Sequence, residues 1–479
     1  MRNTKKILAA LLALGMTFGI TACGEGDSKA SDSAAEDESF EATENIEVVE
    51  DTTIDVLPGG PESEILYLGE NDINPTRGNP EKSTEMTLFE QKGGSVRFQS
   101  TSNEDRFDNL AAAVLAKSDI PDIFKYEWLA FPSQVVKEMY QPIDSIVDFD
   151  SDLWKTSKPT ADQFMLGGEH FVAPLGNVAS AMLCYDIDIF EAEGLEDPYE
   201  LYLNDEWTWD AWESIMAEYV GNASGDDLRY GVNGFFRNHI VQQTGKNLVE
   251  YDPATNSFSS NLFDPDIEKG QAFLYDLMKD GFILNGWIGS ARDCFTQNCL
   301  FYGMGEWAYT GSLGPKEGEN WAIVPMPQYT ANPQKITTSD MTAYMWVNGS
   351  QKADAVRIWF ECNRIARTDP QYYQTNKDKF MENNPYWTDE MYDVKMDVVS
   401  DDYLMIFDYA FGVSTNMGDR KAFDGNQCLV DYLYNGSSNQ DEDGNQPTWS
   451  SVREQYSNYV EKEIETLNKD IVAYEKSRS

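Results

Sequence analysis

Histidine is nearly missing from this chain of 479 residues: His170 and His239 stand alone, in no metal-ligand spacing. No CxxC pair occurs, and the five cysteines beyond Cys23 (Cys184, Cys294, Cys299, Cys362 and Cys428) are odd in number. Neither a zinc site nor a disulfide framework is indicated, and these cysteines read as buried apolar residues. There is no glycine-rich phosphate loop and no serine nucleophile elbow. Carboxylates are so abundant that any two could mimic a glycosidase pair by chance, so no catalytic residue is assigned. Bases are scarce as well: 36 Lys and Arg face 82 Asp and Glu, a net charge of -46. Such a surface repels nucleic acid and anionic lipid. After the leader, no apolar run is long enough to cross a bilayer.

What is present begins with an address. Arg2, Lys5 and Lys6 precede an apolar run from Ile7 to Ile20, which has signal-peptide rather than membrane-spanning length. Ile20-Thr21-Ala22-Cys23 resembles the bacterial lipobox, in which the cysteine becomes the lipidated amino terminus. Cleavage there removes Arg2, Lys5 and Lys6 and takes the charge from -46 to -49. Residues 23–60 are rich in Ser, Ala, Glu and Asp, with Lys29 the only base. That composition predicts an extended acidic tether, because too little apolar surface is available to offset ordering.

The remaining 420 or so residues exceed one core's usual size. Strand and helix patterns alternate. Glu64–Gly69 and Ser95–Ser100 read as strands, Arg106–Lys117 as a helix, and Pro121-Asp122-Ile123-Phe124 opens a third strand. Repeated β-α-β units predict an α/β fold with mostly parallel sheets and right-handed crossovers. Ligands meet such sheets at the carboxyl ends of strands, here the loops after Leu68, Phe98 and Phe124. Thr208 is a candidate N-cap for a helix whose apolar face carries Trp209, Trp212, Ile215, Met216 and Tyr219, so its tryptophans read as structural. Asn439–Gly444 begins like a calcium loop, but its twelfth position is Ser450, which favours a solvated acidic turn. No metal or cofactor is expected. The carboxyl-terminal stretch Val452–Tyr474 has amphipathic helical character.

Several segments together resemble the family 1 extracellular solute-binding proteins, the sugar-binding lipoproteins of ABC importers. Phe295, Gly305 and Trp307 fall on the marks of that family's most recognisable segment. Asn298–Tyr302 replaces its usual small residues. Ser118–Phe124 resembles its Gly-Asp-x-Pro-Asp passage, Gly168–Leu183 its strand into the second lobe, and Cys184–Phe190 its Tyr-Tyr-Asn-Lys-Asp-Leu-Phe, with Asp186 for Asn. Thr208–Trp212 is similar to its Thr-Trp-Asp-Glu-Leu. These matches span roughly residues 64 to 365.

The resemblance implies a two-lobed, periplasmic-binding-protein-like fold (type II) with a ligand cleft between lobes. Its expected divisions are 1–22 leader, 23–60 tether, 61–176 and 307–368 first lobe, and 177–306 and 369–479 second lobe. It also implies a monomeric receptor, lipid-anchored through Cys23 outside a Gram-positive type membrane, that hands a carbohydrate to ABC permease subunits. Expected ligand contacts are Trp307, Tyr126, Glu127, Trp128, Asn177, Tyr309, Asp340 and Asn71, aromatics stacking on sugar faces and polar groups meeting hydroxyls. Gly303 and Gly305 are expected to give the backbone room to present Trp307. The alternatives are a secreted polysaccharide-active enzyme, or the same fold binding a peptide or polyamine.

Overall fold

The computed structural model describes residues 48–478 apart from 78–80, 180, 226, 401 and 442–443, and for residues 339 and 340 only the backbone. Among the described residues, the main strands form a six-stranded and a four-stranded sheet. In chain order they are β1 (Glu64–Gly69), β2 (Ser95–Ser100), β3 (Ile123–Lys125), β4 (Ala173–Ala179), β5 (Met182–Asp186), β6 (Tyr230–Gly234), β7 (Cys299–Met304), β8 (Trp321–Pro325), β9 (Ile336–Trp346) and β10 (Leu404–Ile406). The first sheet runs β10-β9-β3-β1-β2, with β4 also on β9. The second runs β8-β5-β7-β6.

The β-α-β start forms as the pattern predicts. β1 pairs in parallel with β2 and β3. The helix Thr84–Gln91 is capped by Ser83, whose hydroxyl accepts from the Met86 amide at 3.3 Å. Asp122 of the Pro-Asp passage proves structural. It is buried and accepts from the Leu66 amide at 2.7 Å and the Ser350 hydroxyl at 2.6 Å, while Lys352 lies 3.2 Å away. One carboxylate thus joins the start of β1 to the segment after β9.

The sheets are mixed rather than mostly parallel. β9 is antiparallel to β3 and β4, and β5 is antiparallel to both β7 and β8. The reason is the crossing: β4 leads straight into β5, so the chain enters the second lobe at a strand end and reverses. The lobe boundaries move accordingly. The first crossing lies after Ala179, three residues beyond the expected 176/177 cut, because β4 pairs with β9 of the first sheet as far as Ala179. The return lies after Pro325 and not at Trp307, because β8 hydrogen-bonds to β5 in the second sheet.

The tail is shared between the lobes instead of belonging to the second. Tyr372 packs in the first-lobe core with Trp359 and Phe360, whereas Trp387, Met391 and Val394 cover the second sheet beside Trp321 and Ile323. β10 then returns to pair with β9. The expected tether also ends early. Val48, Ile54 and Leu57 are buried in the first-lobe core, and the Leu57 amide donates to the Lys92 carbonyl at 2.8 Å. Three apolar side chains in ten residues suffice to dock a segment that its acidic composition marked as tether.

The last element is a 30-residue helix, Trp449–Arg478. Its buried Val452, Val460, Ile464, Leu467, Ile471 and Tyr474 recur at helical spacing, as the sequence pattern predicts. Arg453 near its start pairs with Glu268 at 2.9 Å in the second lobe. Arg478 at its end pairs with Glu169 at 2.5 Å in the first.

Candidate functional site

The loops beyond the carboxyl ends of the strands carry several exposed aromatic residues; others, Phe263, Tyr373, Tyr386 and Tyr459, lie elsewhere. In the second lobe, β6 and β7 run parallel with Gly234 opposite Gly303. Gly234 adopts φ 111°, and a Cβ there would lie 2.1 Å from the Gly303 carbonyl oxygen, so only glycine fits. The next residue, Phe235, donates its amide to that same carbonyl at 2.8 Å. Its ring stands 55% exposed, 5.1 Å from the 54% exposed Trp287. The loop carrying Trp287 is fixed by Asn233, whose amide nitrogen donates to the Leu284 and Gly286 carbonyls at 2.8 and 2.9 Å.

Trp307 sits on the same edge, three residues beyond β7, in the single 3-10 turn Glu306–Ala308. It is 48% exposed, so it is no core residue. Gly303 and Gly305 do not present it through an unusual backbone. Gly303 lies within β7, and Gly305 is extended at φ -76°. Tyr309 is corrected outright: it is fully buried, its hydroxyl 2.6 Å from the Tyr302 carbonyl and 3.0 Å from the Met182 carbonyl. Buried polar groups find such partners inside the fold.

In the first lobe the loop after β3 presents Trp128, which is 41% exposed with its ring 4.7 Å from Phe411. Gly412 makes this possible. A Cβ there would stand 1.7 Å from the Phe131 carbonyl oxygen, so the turn Ala410–Val413 can lie against the 128–131 loop only with glycine. Tyr126 and Trp128 line a cavity of about 10 Å³, room for one water-sized group, together with Phe407, Asp408, Phe411 and Tyr434 from the tail. Its other wall is Asn238 and Gln242, from the helix Arg237–Gln242 that follows β6. The cavity therefore lies where the first lobe, the second lobe and the tail meet.

The other expected contacts are spread more widely. Tyr126 borders the cavity but is mostly buried, edge-on to Phe164 at 4.9 Å. Glu127 is held by Arg106, which donates from Nε and Nη2 at 2.5 and 2.6 Å; burial pushes its carboxyl up against the pull of Arg106. Asn177 is half-buried and donates to the Val399 carbonyl at 3.3 Å. Asn71 is exposed in the loop after β1 and is not part of the cavity lining. The side chain of Asp340 and the whole of Cys23 lie outside the described residues.

Sequence reasoning missed Phe235, Trp287, Gln242 and Asp408. Asp408 is buried. It accepts from the Ala410 amide at 2.9 Å, the Leu248 amide at 3.3 Å and the Tyr434 hydroxyl. Burial pushes its carboxyl up to about 6. Gln242 Nε2 donates to Asn247 Oδ1 at 2.8 Å, and Asn247 Nδ2 donates to the Phe407 carbonyl at 2.5 Å. That relay fixes both amides and leaves Gln242 Oε1 buried without a donor.

A wider hollow of about 310 Å³ opens at the opposite edge of the second sheet, beside Arg229 and Asn298. Its guanidinium is already engaged, with Glu193 at 2.7 Å and Asp227 at 3.0 Å. We place the site in the aromatic cleft, because it combines stacking surfaces with unsatisfied polar groups.

Two mixed α/β lobes, strand crossings between them and an aromatic cleft at their facing edges define a two-lobed solute-binding protein of the maltose-binding-protein kind. The bacterial extracellular solute-binding protein family matches residues 79–362, more than half of the chain, and the chain belongs to that family. Among solved structures, it is similar to the sugar-binding protein MalE of Xanthomonas citri, with 14% identity, TM-score 0.58, and coverage of 84% of this chain and 98% of that one. The GacH receptor of Streptomyces glaucescens, solved unliganded and with acarbose, gives 13% identity, TM-score 0.55, and coverage of 83% and 98%. The substrate-binding protein Lmo0181 of Listeria monocytogenes, solved with cycloalternan, gives 14%, 0.51, and 85% and 97%. At these identities the likeness is one of fold. No curated protein matches the chain.

Proposed function

We propose that this protein captures a carbohydrate, an oligosaccharide, at the cell surface and delivers it to the permease of an ABC transporter, held to the membrane by a lipid on Cys23. The observation that carries the ligand class is the set of four exposed aromatic rings at the facing carboxyl edges: Trp128, Phe235, Trp287 and Trp307. A pyranose ring buries its C–H face on an aromatic ring without leaving hydroxyls unpaired, and each such stack adds about 0.5–1.5 kcal/mol beyond area burial. Single exposed aromatics are ordinary, but several gathered on one cleft mark a binding surface. Saccharide ligands of the structural neighbours MalE and GacH point the same way. A hydrolytic role finds no support here. Asp408 is the one carboxylate lining the cavity, whereas glycoside hydrolysis needs a pair flanking the bond.

A thermal-shift screen against a panel of neutral oligosaccharides tests the reading. A ligand present at about a hundredfold its Kd adds roughly 2.7 kcal/mol to the folded state and raises the melting temperature. The best ligand should also reduce the radius of gyration in small-angle scattering as the lobes close. Absence of any shift across the panel, with a peptide or polyamine giving one instead, would replace carbohydrate with that ligand.

A further inference from the structure

The cleft's inner end has a sign. Of the residues lining the cavity only Asp408 is charged, and the three hydrogen-bond donors described for it are neutral. A carboxylate taken out of water without a cation is costly, and the arrangement persists because three donors share its charge. Nearby cations are spent elsewhere. Arg106 is forked onto Glu127. Arg237 is half-buried, lies outside the cavity lining and donates to the Ser438 hydroxyl at 2.8 Å and the Ser438 carbonyl at 3.4 Å. His239, one turn before Gln242, is held neutral, burial taking its imidazole down to about 3.

The same cavity is lined by an acceptor that has no donor. Gln242 is 2% exposed, its amide orientation is fixed through Asn247, and its Oε1 has no donor. A buried acceptor without a donor costs about 1–3 kcal/mol. Around the two acceptors stand Trp128 and Phe411, which supply apolar and cation-attracting ring faces. Acceptors and aromatic faces, with no cation among the described residues that line the cavity, form the complement of a donor-rich, positively charged group.

We propose that this end of the cleft recognises the ammonium-bearing ring of an amino sugar, the ammonium meeting Asp408 and a hydroxyl or N–H of the same ring meeting Gln242 Oε1. The inference rests on the carbohydrate reading above and narrows it to cationic saccharides. It also predicts rejection of uronic acids, because a ligand carboxylate would face Asp408 without a countercharge.

The test is calorimetric, at about pH 7, on the unmutated protein. Cellobiose, its diamino counterpart, the N-acetylated form and a uronic acid counterpart are compared, with the same series built on maltose and on whichever backbone the neutral panel favours. The amino form should bind about tenfold or more tighter than the neutral form, and the uronic form weakest. Asp408→Asn, whatever it does to overall affinity, should bring the ratio of amino to neutral affinity down to about one. Because the ranking is read on the unmutated protein, it decides the matter even where Asp408→Asn does not fold. Neutral saccharides binding as tightly as amino ones would overturn this inference and leave the carbohydrate reading intact. A preference that survives in folded Asp408→Asn overturns the assignment to this residue. Binding of no saccharide at all overturns both.

Discussion

Trp307 and Tyr309 stand two residues apart and face opposite ways. The 3-10 turn Glu306–Ala308 rotates the chain between them, leaving Trp307 half in solvent and Tyr309 under the second sheet. Trp307→Ala should therefore weaken ligand binding by roughly tenfold or more, each tenfold being about 1.4 kcal/mol. Its stability cost should stay well below the roughly 3–5 kcal/mol typical of a fully buried tryptophan. Trp212, which is 0% exposed, is the control: its alanine variant should unfold easily and, where folded, bind normally. Calorimetry and denaturant melts on both variants decide, and normal binding by Trp307→Ala would remove it from the site. Trp307 was legible because it sits in a segment shared with a family. Phe235 and Trp287 were not, because a strand end and a loop 52 residues apart bring them together with no motif around either. Nor could sequence distinguish Tyr309 from Trp307, since the phase of one helical turn decides which ring goes inward. Asp408 and Gln242 were invisible for a related reason. Their importance lies in what they lack, a cation and a donor, and only packing reveals such absences.

At the scale of elements, alternating strand and helix signals placed β1, β2 and β3, and the N-cap at Thr208 formed as the sequence indicates, accepting from the Ala211 amide at 3.2 Å. Strand direction was less legible. Apolar alternation shows that a segment is a strand but not which neighbour it meets, so the expectation of mostly parallel sheets missed the antiparallel pairing of β5 with β7 and β8. The tail gave the weakest signal. Its turn Ala410–Val413 depends on a contact between Gly412 and the Phe131 carbonyl, nearly three hundred residues away in sequence. Gly412→Ala should force that turn off the 128–131 loop. We expect a loss on the order of 1–3 kcal/mol, as for other overpacked buried sites, together with weaker ligand binding because Phe411 would leave Trp128. Denaturant midpoints and ligand titration read the two effects. Unchanged values for both would show that the tail does not depend on this approach.

For the whole molecule, the proposed attachment through Cys23 predicts that Cys23→Ala releases the protein from the membrane fraction while its melting temperature stays the same. Retention of the variant on membranes would refute lipid anchoring at this residue. The two-lobed fold was legible in outline, because family-like segments recur in order. The first crossing was less so, because the chain passes from β4 to β5 within one strand-like run, and the prolines of the return, Pro325, Pro327 and Pro333, read equally well as the close of a strand. The docking of residues 48–57 into the first-lobe core has a mechanical consequence. If Cys23 is lipidated as proposed, the 24 residues between it and Val48 limit the distance from anchor to core to at most about 85 Å of contour. The anchor would then be joined to the first lobe alone. An anchored molecule would thus have a stator and a rotor: the first lobe held at bounded height above the bilayer, the second swinging against it. Whatever surface the membrane partner reads first, its distance from the bilayer is set from the first lobe, and ligand occupancy is signalled by the position of the second.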